Sequence, residues 1–183
     1  MTSQQEAVLG PEHAVFRGLR GTRLLAPDPV DASSVRRFAQ AIMDDDPMYW
    51  DADVAAASRF GGVVAPPMYP LHALRRRAGT PDPLDAAVDP EFDGAGDLLE
   101  SLGLPRLDLP LKRLLNGGNE VEVFSLARLG ETIAATSVYE DVYEKHGRSG
   151  PLVFVTVLTD YQAVLPDGSE RRLLTSRQTF IWR

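Results

Sequence analysis

The chain has 183 residues, a formal net charge of −7 and no cysteine. That length fits one domain with a proper core, the 44% hydrophobic and 25% charged content is that of a globular protein, and disulfides, thiolate metal sites and cysteine nucleophiles are excluded. The acidic balance argues against non-specific nucleic-acid binding, no apolar run approaches the ~20 residues of a membrane helix, and residues 1–10 lack the pattern of a secretory signal, so a cytoplasmic protein is expected.

Residues 1–20 show no periodicity and read as a loosely ordered lead-in; residues 21–183 read as a single domain. Asp31-Ala-Ser-Ser34 offers capping side chains. Val35, Phe38, Ala39 and Ile42 follow at i, i+3, i+4, i+7, the spacing of an amphipathic helix. That helix is expected to run into Asp44-Asp45-Asp46 and stop before Pro47, because the residue preceding proline disfavours helical angles. A short helix is expected over 52–58. Phe60-Gly-Gly-Val-Val-Ala-Pro-Pro67 then leads into a helix with Met68, Leu71 and Leu74 on its apolar face, continuing to about Arg77.

Residues 78–110, broken by five prolines from Pro81 to Pro110, read as an insertion or lid with one or two helical turns at 97–102. The rest reads as strands: alternating Val121 and Val123, then 132–143, 152–164 and 172–182, with turns at 146–150 and 166–169. Strands of about 13 residues would span about 43 Å at ~3.3 Å per residue, so they are expected to curl around something, and the helix at 68–74 is the apolar element on offer. The fold class is therefore α+β, an antiparallel sheet wrapped around a long central helix: the hot-dog arrangement. An open edge of such a sheet invites a second subunit.

Phe38-Ala-x-Ala-Ile-x-Asp44-Asp-Asp-Pro47-Met-Tyr49 followed by Gly61-Gly-Val-Val-Ala-Pro-Pro67 resembles the MaoC-like dehydratase family, specifically its N-terminal-type domain. Asn116-Gly-Gly-Asn-Glu-Val-Glu122, Leu129-Gly-Glu-Thr132, the block from Asp141 to Pro151 and the closing residues 176–183 resemble later parts of the same domain. The resemblance implies R-specific hydration of a trans-2-enoyl thioester, or the reverse, using an Asp and a His in a Gly-Asp-x-Asn-Pro-aliphatic-His pattern. It also implies an oxyanion hole at the start of the central helix. Here Asp44 takes the acidic position, but Tyr49 stands where the histidine belongs, and Met43 and Asp46 replace the glycine and asparagine. Tyrosine ionises near ~10 against ~6.5 for histidine, a poor match to proton exchange at neutral pH.

No catalytic residue is therefore assigned. The substrate-binding candidates are Asp44, Tyr49, Gly62, Val63, Val64, Pro67, Met68, Tyr69, Gly117 and Gly118. A tight turn explains Gly117 and Gly118 equally well. His72 reads as a packed side chain more readily than as a tunnel residue. Arg75-Arg76-Arg77 or Lys112-Arg113 could meet a phosphorylated ligand, or simply end a helix in solvent. The acidic triplet lacks the partners of a metal site, and no cofactor is implied. The expected function is a non-catalytic acyl-thioester-binding subunit of a heteromeric R-specific enoyl-CoA hydratase (a lyase), its Asp/His dyad on a second hot-dog subunit because nothing follows Arg183. The thioester would be carried by coenzyme A or by acyl-carrier protein. The alternatives are a homodimeric dehydratase or thioesterase using Asp44, and a protein that binds acyl-CoA without chemistry.

Overall fold

A computed structural model describes residues 7–74, 79, 98–148 and 150–183. Among these residues, five strands form one sheet in the order β1-β3-β4-β5-β2, every neighbour antiparallel. They are β1 (Leu24–Leu25), β2 (Leu114–Val123), β3 (Thr132–Gly147), β4 (Gly150–Val164) and β5 (Glu170–Trp182). Strand β4 is rich in β-branched residues and alternates buried with half-buried positions, as in a strand with one face in the core, while β5 buries Leu173, Leu174, Thr175 and Ser176 in succession. The β4–β5 turn closes as its Asp-Gly sequence suggests: Leu165 N–H donates to the Ser169 carbonyl at 2.9 Å, and Gly168 takes φ +83°. The β3–β4 turn is tighter than expected, since β3 pairs with β4 out to Gly147 opposite Gly150.

Helix α1 (Ala32–Ala41) starts as its sequence says. The Asp31 carboxylate accepts from the N–H groups of Ser33 and Ser34 at 2.8 and 3.0 Å, while Val35 and Ala39 face the core. Its end differs from expectation, stopping at Ala41 well short of Pro47. Met43 turns left-handed (φ 57°), its N–H returns to Gln40 at 3.2 Å and that of Asp44 to Ala39 at 2.9 Å. This is a Schellman closure, and it terminates the helix before proline has any say. Pro47 instead opens the 3-10 turn Pro47–Tyr49, and α2 (Ala52–Ala57) follows behind an Asp51 cap. Of the expected central helix, the described part is α3 (Pro70–Ala73); residues 75–77 lie outside the described residues.

One reading needs correction. Residues 7–20 are not a loose lead-in. Gly18 N–H donates to Tyr139 O (2.7 Å), Tyr139 N–H to Leu19 O (3.0 Å) and Gly21 N–H to Ser137 O (2.9 Å), which lays the segment along the edge of β3 beyond β1. Phe16 packs edge-on to Tyr139. The described part of the proline-rich segment, read from sequence as an insertion or lid, packs on the sheet. Helix α4 (Leu98–Ser101) and its continuation bury Leu99, Leu104 and Leu107 against Tyr139, Val153, Val155 and Phe180. Residues 80–97 of that segment lie outside the described residues.

The sheet therefore carries two apolar clusters. One joins α1, Tyr49, Val64, Ala65 and Tyr69 to Ile133, Tyr161, Leu173 and Leu174. The other joins residues 98–114 and the N-terminal segment to the far halves of β3, β4 and β5. The long strands thus wrap two separate layers, where the sequence offered one helix. Among the described residues, no helix is long and apolar enough to cross a membrane.

Candidate functional site

The loop after α1 is built by its aspartates. Asp44 Oδ1 accepts from Asp46 N–H at 3.2 Å, and Asp46 Oδ1 accepts from Met48 N–H at 3.0 Å, so both carboxylates shape the turn that presents Tyr49. Tyr49 is 6% exposed. Burial pushes its phenol above the usual tyrosine range, and the nearby Asp44 and Asp46 carboxylates push the same way. The hydroxyl therefore stays protonated at neutral pH. It is a hydrogen-bond donor and a poor base.

Among the described residues, three hollows lie around this loop. The largest, about 600 Å³, has Met48, Tyr49 and Pro67 on one side, residues 123–126 on the other, and Arg59, Arg128 and Arg171 around it. A second, about 560 Å³, lies between α1 and the loop and is lined by Arg36, Gln40, Met43, Asp44 and Trp50. A smaller one of about 280 Å³ holds Tyr49, Val63, Arg36 and Trp50. Among these three hollows, Asp44 lines one and Tyr49 the other two.

The far wall of the largest groove is tied down by charge. Arg171 donates through Nη2 to both oxygens of Glu131 (2.7 and 2.8 Å) and through Nη1 to Leu126 O (3.1 Å) and Ser125 Oγ. Glu131, 5% exposed, also accepts from Arg128 N–H at 2.8 Å. Ala65 N–H reaches Ala127 O at 2.8 Å and Val64 bridges to Arg128, so the glycine-containing loop is docked on the same wall.

The remaining candidates fall in several places. Val64 and Pro67 join this assembly; Gly62 and Val63 lie half-buried before it, and Met68 is 40% exposed. Tyr69 is committed to α1, its hydroxyl 2.8 Å from Ser34 Oγ and its ring edge-on to Phe38. His72 packs its ring on the same Phe38. Gly117 and Gly118 are not brought to the loop; they sit on edge strand β2 about 17–20 Å before Val123 at ~3.3 Å per residue. They serve a β-bulge: Gly118 has φ +131° and its N–H is held by Asn116 Oδ1, and a Cβ on Gly117 would stand 3.0 Å from Thr179 and Ile181.

Few N–H groups are on offer where the oxyanion hole is expected. Pro66, Pro67 and Pro70 carry no N–H, while those of Tyr69, Leu71 and His72 are taken by Pro66, Met68 and Tyr69 carbonyls. Over residues 66–72 only the Met68 N–H is left. Among the described residues, no three acidic or histidine side chains gather as a metal would require.

An antiparallel sheet wound over helical layers is the hot-dog arrangement. The model for the FAS1-like family, dehydratase domain region, matches residues 25–164, and the chain belongs to that family. A UPF0336 protein of Streptomyces coelicolor is 27% identical over 122 residues, covering 67% of this chain and 68% of its own. Among solved structures, the ChsH1-ChsH2 complex of Mycobacterium tuberculosis aligns with TM-score 0.64 at 20% identity over 88% of this chain and 83% of that one. A MaoC-like dehydratase from Rhodospirillum rubrum aligns with TM-score 0.56 at 20% identity over 91% of each chain. These likenesses show a shared fold.

The residues of this groove that the sequence did not single out are Arg59, Arg128, Glu131 and Arg171. Only the Leu129-Gly-Glu-Thr132 block hinted at one of them, and Glu131 meets its partner 40 residues away, a separation no local pattern records.

Proposed function

We propose that this chain binds an acyl thioester as a non-catalytic subunit of a heteromeric R-specific enoyl-thioester hydratase or dehydratase. The observation that carries the reading is Tyr49. It occupies the histidine position of the family pattern, stays protonated, and opens onto hollows that Asp44 does not line. A hydration site needs a base for water and an acid for the α-carbon, arranged about one enoyl group. The protonated Tyr49 phenol can give a proton but not take one, and Asp44, the candidate base, lines another of the described hollows, which favours binding by this chain and a dyad elsewhere. A second hot-dog subunit would supply the dyad. The open β2 edge, ten residues long with Leu115 and Val123 exposed, offers it a place to add its own edge strand.

The test is hydration of crotonyl-CoA and of bulkier enoyl-CoA esters by the purified chain, alone and with a co-purifying hot-dog partner. The expected result is no turnover alone and turnover with the partner. Robust hydration by the isolated chain, abolished by Asp44→Ala, would refute the reading.

A further inference from the structure

The chain has two asparagines, Asn116 and Asn119, both on β2, and only Asn116 is followed by glycine. The amide carbon of an asparagine side chain can be attacked by the backbone nitrogen of the next residue, closing a succinimide ring. A side chain on that next residue crowds the attack, and glycine removes the obstacle.

The fold adds three features that favour the reaction at Asn116. Residues 116–119 are exposed and β2 is an edge strand, so solvent base reaches the peptide. In the register of β2 on β5, Asn116 stands opposite Phe180 and Gly118 opposite Thr179, which leaves Gly117 as the extra residue of the bulge. Such a residue is outside the ladder, so no ladder bond ties down the attacking nitrogen. Finally, Gly118 N–H donates to Asn116 Oδ1 at 3.0 Å. That bond folds the side chain back over the Asn116–Gly117 peptide, as in an Asx turn, and draws electron density from the carbon under attack.

Asn119 is equally exposed but lacks these features. It is paired with Gln178, it is followed by Glu120, and its Oδ1 accepts from Ser176 Oγ at 2.8 Å, which turns the side chain across to β5. The Asp167-Gly168 turn has the spacing and the folded-back bond, from Ser169 N–H. There the Ser169 hydroxyl and N–H hold the carboxyl below the usual aspartate range, and an ionised carboxylate resists attack.

We propose that Asn116 is a self-modifying site that converts the amide to a carboxylate and reroutes the β2 backbone. The Gly117 nitrogen loses its proton to solvent hydroxide and bonds to the Asn116 amide carbon. The carbon–nitrogen bond of the amide breaks, and the departing group takes a proton from water and leaves as ammonia. Water then opens the ring at either carbonyl, giving aspartate or, with the main chain running through the side-chain carbon, isoaspartate. Isoaspartate lengthens β2 by one methylene at the bulge, so Leu114 and Leu115 lose their register with Trp182 and Ile181. The same edge is offered above to a second subunit; only the consequence for assembly rests on that reading.

The test is ageing of the folded chain in warm, mildly alkaline buffer, followed by peptide mapping. Trypsin cleaves after Arg113 and Arg128, so one peptide carries both asparagines and an unaged sample sets the baseline. Asn116 is expected to convert about tenfold or more faster than Asn119, a barrier difference of ~1.4 kcal/mol, and faster still as pH rises. Two products of equal mass, aspartate and isoaspartate, should separate on the column. Asn116→Gln, which would have to close a larger ring, should stay unmodified, with its melting temperature showing that it folds. Hydrogen exchange over 114–119 should quicken in the aged native chain and not in the aged variant. Equal conversion of the two asparagines overturns the proposal. So does an Asn116 that survives in the folded chain but converts in urea, since the fold would then shield the site. Conversion with unchanged exchange over 114–119 refutes the loss of register. None of these outcomes depends on thioester binding or on a partner, so the proposal fails separately from the subunit reading.

Discussion

Replacing Glu131 with alanine should loosen the wall of the groove from behind. The carboxylate accepts three hydrogen bonds, one from Arg128 N–H and two from Arg171, and its side chain is 7% exposed while that of Arg171 is 32% exposed. Breaking a fully buried pair from one side costs about 3–5 kcal/mol, mostly for the charge left unpaired. Arg171 retains some water and its bonds to Ser125 and Leu126, so about 2–3 kcal/mol is expected here. For a chain of this size that lowers the melting temperature by roughly 4–12 °C. Urea denaturation of Glu131→Ala, Arg171→Met and the double variant isolates the pair, and a coupling near ~2 kcal/mol is predicted, as contacting residues commonly show ~0.5–3. A loss below about 1 kcal/mol in Glu131→Ala, or additive single variants, would show the pair to be no more than a surface ion bridge.

Met43→Gly should stabilise the chain by about 0.5–1 kcal/mol in the same denaturation assay. Left-handed backbone costs an L-residue about 1–2 kcal/mol, glycine adds about 0.4–1 of unfolded-state entropy, and the Met43 side chain is 90% exposed with little packing to lose. Asp31→Ala should cost about 1 kcal/mol at neutral pH. The side-chain and backbone bonds from Ser34 hold the Asp31 carboxyl below the usual aspartate range. Its contribution is therefore complete above the unfolded value near ~3.9 and fades as pH falls through the lower folded value, so native and variant stabilities should converge in acid. Tyr49→His should not create hydratase activity in the isolated chain, because Asp44 opens onto another hollow and its Oδ1 is bonded to Asp46 N–H; turnover by that variant alone would refute this placement. Gly118→Val should destabilise the β2 edge through its φ of +131°, read as faster hydrogen exchange along β2.

Features governed by neighbours in the chain are legible in the amino-acid sequence itself. The Asp31 cap, the 3.6-residue spacing of α1, the β-branched runs of β3 to β5 and the Asp167-Gly168 turn each depend on contacts within a few residues. The missing histidine at Tyr49 is legible in the same way.

What the tertiary structure decided is which distant segments share a surface. Nothing local in residues 7–20 announces that they will line the edge of β3, because their order comes from bonds to Ser137 and Tyr139. Leu99, Leu104 and Leu107 look too sparse for a core, and alone they are; the sheet supplies the other half. The Met43 turn, the pairing of Glu131 with Arg171 and the gathering of Arg59, Arg128 and Phe124 around one groove follow likewise from closure of the fold. Hydrogen bonding and side-chain periodicity act over a few residues and leave their mark in sequence. Burial and charge pairing act through space, and only the folded chain brings those partners within reach.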